Sequence, residues 1–171
     1  VNQGQDFEHA GEPLVPTAKL EAPDFQPVTI VIGGDPIAKG RPRMTRRGIA
    51  YTPSATRKYE AHGRLAAQMA MGDRPPIAWP VRIVALVELP IPASWSRTRT
   101  AAALTGDIRP TTRPDLDNYL KAALDAINTI VVVDDSYVVE LDVGKKFGIQ
   151  PKLVLTVIPL AAEPSKRGGG Q

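Results

Sequence analysis

Arg113-Pro114-Asp115-Leu116-Asp117-Asn118-Tyr119-Leu120-Lys121 is the stretch from which the fold reads outward. Its Pro-Asp-x-Asp-Asn opening is what a helix start selects, because short polar side chains cap free amides and acids suit the positive end of the dipole. Downstream, Leu116, Leu120, Leu124 and Ile127 recur at helical spacing. That spacing predicts a helix from about Asp117 to Asn128 with one face packed on a sheet.

The sheet is legible on both sides of it. Val28–Ile32, Val81–Leu89, Val138–Phe147 and Leu153–Ile158 are rich in β-branched residues and end at Gly or Pro signals, so each reads as a strand. Arg46-Arg47-Gly48 reads as the turn of a short hairpin resuming at Ile49-Ala50-Tyr51. Thr52-Pro53 predicts another helix start, with Tyr59, Leu65, Ala66 and Met69 as its buried stripe and Gly72 as its stop. Pro90 to Pro114 is a long connection with one helical turn at Ala101–Leu104, and a loop of that length usually has a task. The order βαβαββ implies an α+β fold, a small mixed sheet of about four strands with two main helices packed on one face. Residues 1–26 read as a disordered arm, 27–160 as a single domain and 161–171 as a flexible tail.

Composition narrows the chemistry. The chain has 171 residues, no cysteine and only two histidines, His9 and His62. Thiolate zinc sites, a cysteine nucleophile and disulfides are excluded, and a histidine zinc site or a Ser-His-Asp triad nearly so. No apolar run approaches the ~20 residues of a membrane span, and the expectation is an intracellular, cytoplasmic protein with no membrane partner.

The net charge of +3 hides an uneven distribution. Lys39, Arg41, Arg43, Arg46, Arg47, Arg57 and Lys58 are seven basic residues in a span with no acid. Such a strip can hold phosphates without reading sequence, although an arginine-rich solvated loop would look the same. Tyr51 and Tyr59 are the only aromatics near it, so base stacking is not its mode.

Between Asp115 and Asp142 the balance reverses, with seven acids and one base. Asp115 and Asp117 could simply start a helix, Asp134-Asp135-Ser136 could simply turn the chain, and Lys121 could simply pair with Asp117 one turn away. Together, acids clustered at an apolar strand end need a cation to remain ionised. With only hard oxygen ligands on offer, that cation would be Mg²⁺ or Mn²⁺. An EF-hand loop fails, because it needs an acid or Asn at Tyr119 and Gly at Leu120. A restriction-enzyme-type site fails for want of an acid-x-Lys triplet after Asp115.

Arg113 to Asn118, followed by Lys121, Asp125 and Asp134-Asp135-Ser136, resembles the RusA family of Holliday junction resolvases. So do Lys39-Gly40-Arg41-Pro42-Arg43 with Tyr51-Thr52-Pro53, and Pro92-Ala93-Ser94-Trp95-Ser96, in an order that covers residues 28 to 158. The resemblance implies an α+β homodimer that nicks four-way DNA junctions with Mg²⁺ in recombination or repair, in a bacterial or phage-infected cell. It matches Asp115, Asp117 and Asp135 to essential aspartates and Lys121 to an essential lysine. Whether Asp134 or Asp135 is the metal ligand stays open. The rival expectations are a non-catalytic DNA-binding module, a nuclease for forks and flaps, and a purely structural protein.

Overall fold

The computed structural model of the chain describes residues 26–40, 43–44, 48, 50–51 and 53–160. Its sheet contains β1 (Val28–Gly33), β4 (Val81–Pro90), β5 (Val138–Gly148) and β6 (Lys152–Pro159), arranged β1-β6-β4-β5. β6 runs antiparallel to both β1 and β4, whereas β4 and β5 are parallel. A short hairpin, β2 (Arg43–Met44) and β3 (Ala50–Tyr51), pairs Arg43 with Tyr51 and Met44 with Ala50, as the turn signal at Gly48 predicts. The α+β class and the mixed four-stranded sheet therefore stand. The expected arm, apart from its last residue Gln26, and the expected tail lie outside the described residues, as do Ile49 and Thr52.

Three helices accompany the sheet: α1 (Ser54–Met71), α2 (Arg97–Thr105) and α3 (Leu116–Ile127). α2 corrects the single turn expected at Ala101–Leu104. It begins earlier because the Ser96 side chain accepts from the Arg99 amide, and it stops at Gly106 with φ 89°. None of the helices among the described residues is long and apolar enough to cross a membrane.

Alternation along the strands makes one face of the sheet the core. Val28, Ile30 and Ile32 of β1, Leu153, Leu155 and Val157 of β6, and Ile83, Ala85 and Val87 of β4 are all buried on it. α1 and α3 complete this core with part of the stripes expected, since Tyr59 and Ile127 are buried. α1 buries Thr56, Tyr59, Gly63, Ala67 and Met71, while Leu65 and Met69 are 55% and 76% exposed. α3 buries Tyr119, Ala122, Ala123, Ala126 and Ile127, leaving Leu116, Leu120 and Leu124 half-buried. The reason is close packing. Small residues face each other where α1 crosses α3, and the large apolar residues fall to the flanks.

Gly63 marks the closest approach. A Cβ there would lie 2.9 Å from the Ala126 Cβ and 3.0 Å from Ile32 Cδ1, closer than carbon atoms tolerate. Gly63→Ala should therefore lower stability by roughly 1–2 kcal/mol in urea unfolding, overpacking outweighing the gain in helix propensity. Ala126→Gly in the same chain should return part of that loss beyond additivity.

Candidate active site

α3 is entered from a loop whose backbone is held by a strand. Lys145 of β5 donates from Nζ to the carbonyls of Thr112 and Pro114, at 3.0 and 3.1 Å. By register Lys145 lies beside the buried Val87 and points to the core face, toward the loop. Irregular backbone needs partners for its carbonyls, and one ammonium supplies two here. The Arg113–Pro114 peptide within this loop is cis.

Asp115 takes the N-cap position of α3 in an extended conformation, yet its side chain makes no capping hydrogen bond. Asp117 sits in the first turn. Lys121 donates to Asp117 Oδ2 at 3.1 Å, and Asn118 Nδ2 donates to Asp117 Oδ1 at 3.3 Å. Both members of the Lys121–Asp117 pair are about 60% exposed, so the pair adds only about 0.3–0.5 kcal/mol to stability. The helix-start reading of Asp115 is thus half right: the position is a cap, but the carboxylate is not spent on capping.

Asp134 and Asp135 behave differently from each other. Asp134 Oδ1 accepts from the Ser136 amide at 2.9 Å and caps a single 3₁₀ turn, Asp135–Tyr137, ahead of β5. Hydrogen bonds from Ser136, side chain first and then backbone, hold the Asp134 carboxyl below the usual range, so it stays ionised until the pH falls well into the acid region. Asp135 occupies the first position of that turn.

The two acidic segments do not meet within one chain. α3 has twelve residues, about 18 Å of helix at 1.5 Å each, and it separates Asp115–Asp117 from the segment that follows. β5 records the same separation, since Lys145 reaches the α3 entry while Val138 follows the Asp134–Tyr137 turn, seven residues or about 23 Å away. Among the described residues no three acidic or histidine side chains form a group that could hold a metal ion. The donor chemistry nonetheless suits Mg²⁺. That ion keeps several waters and takes one or two carboxylates plus phosphate oxygens rather than an all-protein cage.

The model of the family described as endodeoxyribonuclease RusA matches residues 33–158, most of the chain. The chain belongs to the RusA endodeoxyribonuclease family. A Bacillus subtilis (strain 168) relative, described as uncharacterized protein YqaN, is 33% identical over 139 residues, spanning 79% of this chain and 98% of that protein. The motif resemblance read from Arg113–Ser136 is therefore matched by the family as a whole.

In this RusA-family chain the basic strip is divided. Lys39 is engaged: its Nζ donates to Asp125 on α3 and lies 3.9 Å from Glu60 on α1. The bond to Asp125 holds the Lys39 ammonium above the ordinary lysine range, so the lysine stays charged through neutral pH. Arg57 and Lys58 are exposed in the first turns of α1. Arg43 lies in β2, and Arg41, Arg46 and Arg47 fall outside the described residues.

Two features around the candidate site escaped the sequence reading. One is Lys145, whose role depends on β4 and β5 being parallel. The other is a second basic group, Arg97, Arg99, Arg109 and Arg113, exposed along the connection from β4 to α3. Its sequence signal was present, since 91–114 holds four arginines and one acid, Asp107.

Lys145→Met should loosen the α3 entry without unfolding the sheet. Amide exchange across residues 111–118 should speed up by about tenfold or more, the loss of two charge-assisted bonds, while β1 and β6 amides keep their protection. Unchanged exchange at 111–118 would show that the loop is held by other contacts.

Proposed function

We propose that the chain is a Mg²⁺-dependent endonuclease that cuts branched DNA, with the four-way junction as its substrate. One observation carries the reading. Within a RusA-family chain, an N-cap aspartate not used for capping stands beside an Asp117–Lys121 pair on the exposed first turns of α3. Asp115 and Asp117 would hold the metal, with Asp135 as the third carboxylate and Mn²⁺ as a substitute ion. Asp135 is preferred to Asp134 because the latter carboxylate is already committed to Ser136. When bound, the metal would lower the pKa of a water so that hydroxide is available to attack phosphorus, and would offset charge on the phosphate oxygens.

The chain's own groups do the rest. The Lys121 ammonium, kept at the site by Asp117, offsets the negative charge that grows on the phosphate as the bond to the leaving oxygen stretches. Arg57 and Lys58, with Arg41, Arg43, Arg46 and Arg47, would hold flanking phosphates and counter repulsion between DNA and the acids.

The separation of the acids supports a homodimer. β5 is an edge strand paired only with β4, and next to Asp134–Asp135 it exposes Val139 and Leu141 at 58% and 50%, with Val133 at 46%. A second copy docked there would cover these side chains and bring an Asp135 toward the other copy's Asp115 and Asp117.

Cleavage of a synthetic four-way junction, a fork and a linear duplex with and without Mg²⁺ tests the activity. Asp117→Asn and Asp135→Asn should each reduce junction cutting by at least about a hundredfold with binding retained, and shift the melting temperature by no more than about 2 °C. Undiminished cutting by Asp117→Asn would sink the reading, and equal cutting of fork and junction would widen the substrate class. Mixing the two variants separates shared from self-contained sites. If each site draws on both copies, the mixed dimer holds one intact site and regains nicking; if each site lies within one chain, the mixture stays inactive.

A further inference from the structure

At the carboxyl ends of β4 and β5 the chain encloses a cleft of about 500 Å³ to which the reading above gives no role. The chain has two tryptophans, three phenylalanines and four tyrosines, and one of each lines this cleft: Trp95, Phe147 and Tyr119. Trp95 and Phe147 meet edge to face, with centroids 5.0 Å apart and planes at 66°. The Arg99 guanidinium carbon lies 4.1 Å from the Trp95 ring centroid. Each of these contacts restrains the others, so the wall is an aromatic surface set before any ligand arrives.

The position and charge of the cleft select a ligand class. Thr112 belongs both to its wall and to the loop that Lys145 holds at the entry to α3. Tyr119 comes one helical turn after Asp115. The cleft therefore opens beside the proposed metal-binding carboxylates. Arg99 and Arg109 on its lining outnumber the one acid there, Asp35, which suits a planar apolar group flanked by phosphates. Aromatic faces with arginine nearby are the surfaces on which unpaired bases stack, and the volume is that of a small-ligand pocket.

We propose that this cleft takes one unstacked nucleobase of a branched DNA, next to the phosphate to be cut. The proposal rests on the nuclease reading and deepens it. Extruding a base from a duplex costs a few kcal/mol, and least where pairing is already disturbed. A cleft that must be filled before the phosphate is aligned thus discriminates against linear DNA without reading sequence.

The test uses the full chain and a synthetic four-way junction carrying a single 2-aminopurine, moved through the positions beside the branch, in buffer with EDTA. At saturating protein, one position should change its fluorescence by at least about twofold, and the matching linear duplex should not. Trp95→Ala and Phe147→Leu should each abolish that change, and in Mg²⁺ should slow cutting by about tenfold. An abasic residue at the responding position controls for a misfolded variant: wild type and Trp95→Ala should then cut at equal rates. A junction that is bound and cut with no responding position, or a response that survives both substitutions, overturns the cleft and leaves the nuclease standing. A chain that neither binds nor cuts the junction overturns both.

Discussion

Parallel pairing of β4 with β5 is the constraint on which the rest of the structure depends. Parallel neighbours cannot be joined by a hairpin, so the chain between them has to cross back over the sheet. That crossover, residues 91–137, carries α2, α3, most of the cleft lining and all four candidate metal-binding aspartates. It leaves from the carboxyl end of β4 and returns to the amino end of β5, so α3 spans the distance between. Asp115 and Asp117 stand at one end of this span and Asp134 and Asp135 at the other.

Charge is used in two ways around that crossover. Lys145 and Lys39 are spent on architecture: one holds the carbonyls before α3, the other ties the segment after β1 to Asp125. Lys121 is not. Its pair with Asp117 is solvent-exposed and contributes little to stability. The same division separates the acids. Asp134 shapes a turn through Ser136, while Asp115 holds a cap position without spending its carboxylate there. Supporting groups placed behind a site in this manner position it without touching the reacting atoms.

Local structure is largely legible in the sequence. The helix expected from about Asp117 to Asn128 is found at Leu116–Ile127, and each of the four β-branched runs is a strand. The faces of the helices were less legible. A hydrophobicity reading gives weight to Leu65 and Met69, but the closest approach of α1 to α3 is between Gly63 and Ala126, which carry almost no hydrophobic signal. Tight packing selects small side chains, and smallness is a property of the pair of helices, not of either alone. The arginines at 97, 99, 109 and 113 were visible as letters, yet only the folded crossover sets Arg99 and Arg109 around a shared aromatic cleft.

The amino-acid sequence by itself determined which segments are strands and helices, the hard-oxygen character of the candidate site and the family to which the chain belongs. These follow from short-range rules: side-chain periodicity, capping chemistry and the residue types at a motif's spacing. The tertiary structure alone decided that β4 and β5 run parallel, that Lys145 supports the entry to α3, and that the two acidic segments lie at opposite ends of one helix. Each of these depends on pairing between segments tens of residues apart, and one pattern of alternating apolar residues fits a parallel or an antiparallel neighbour equally well.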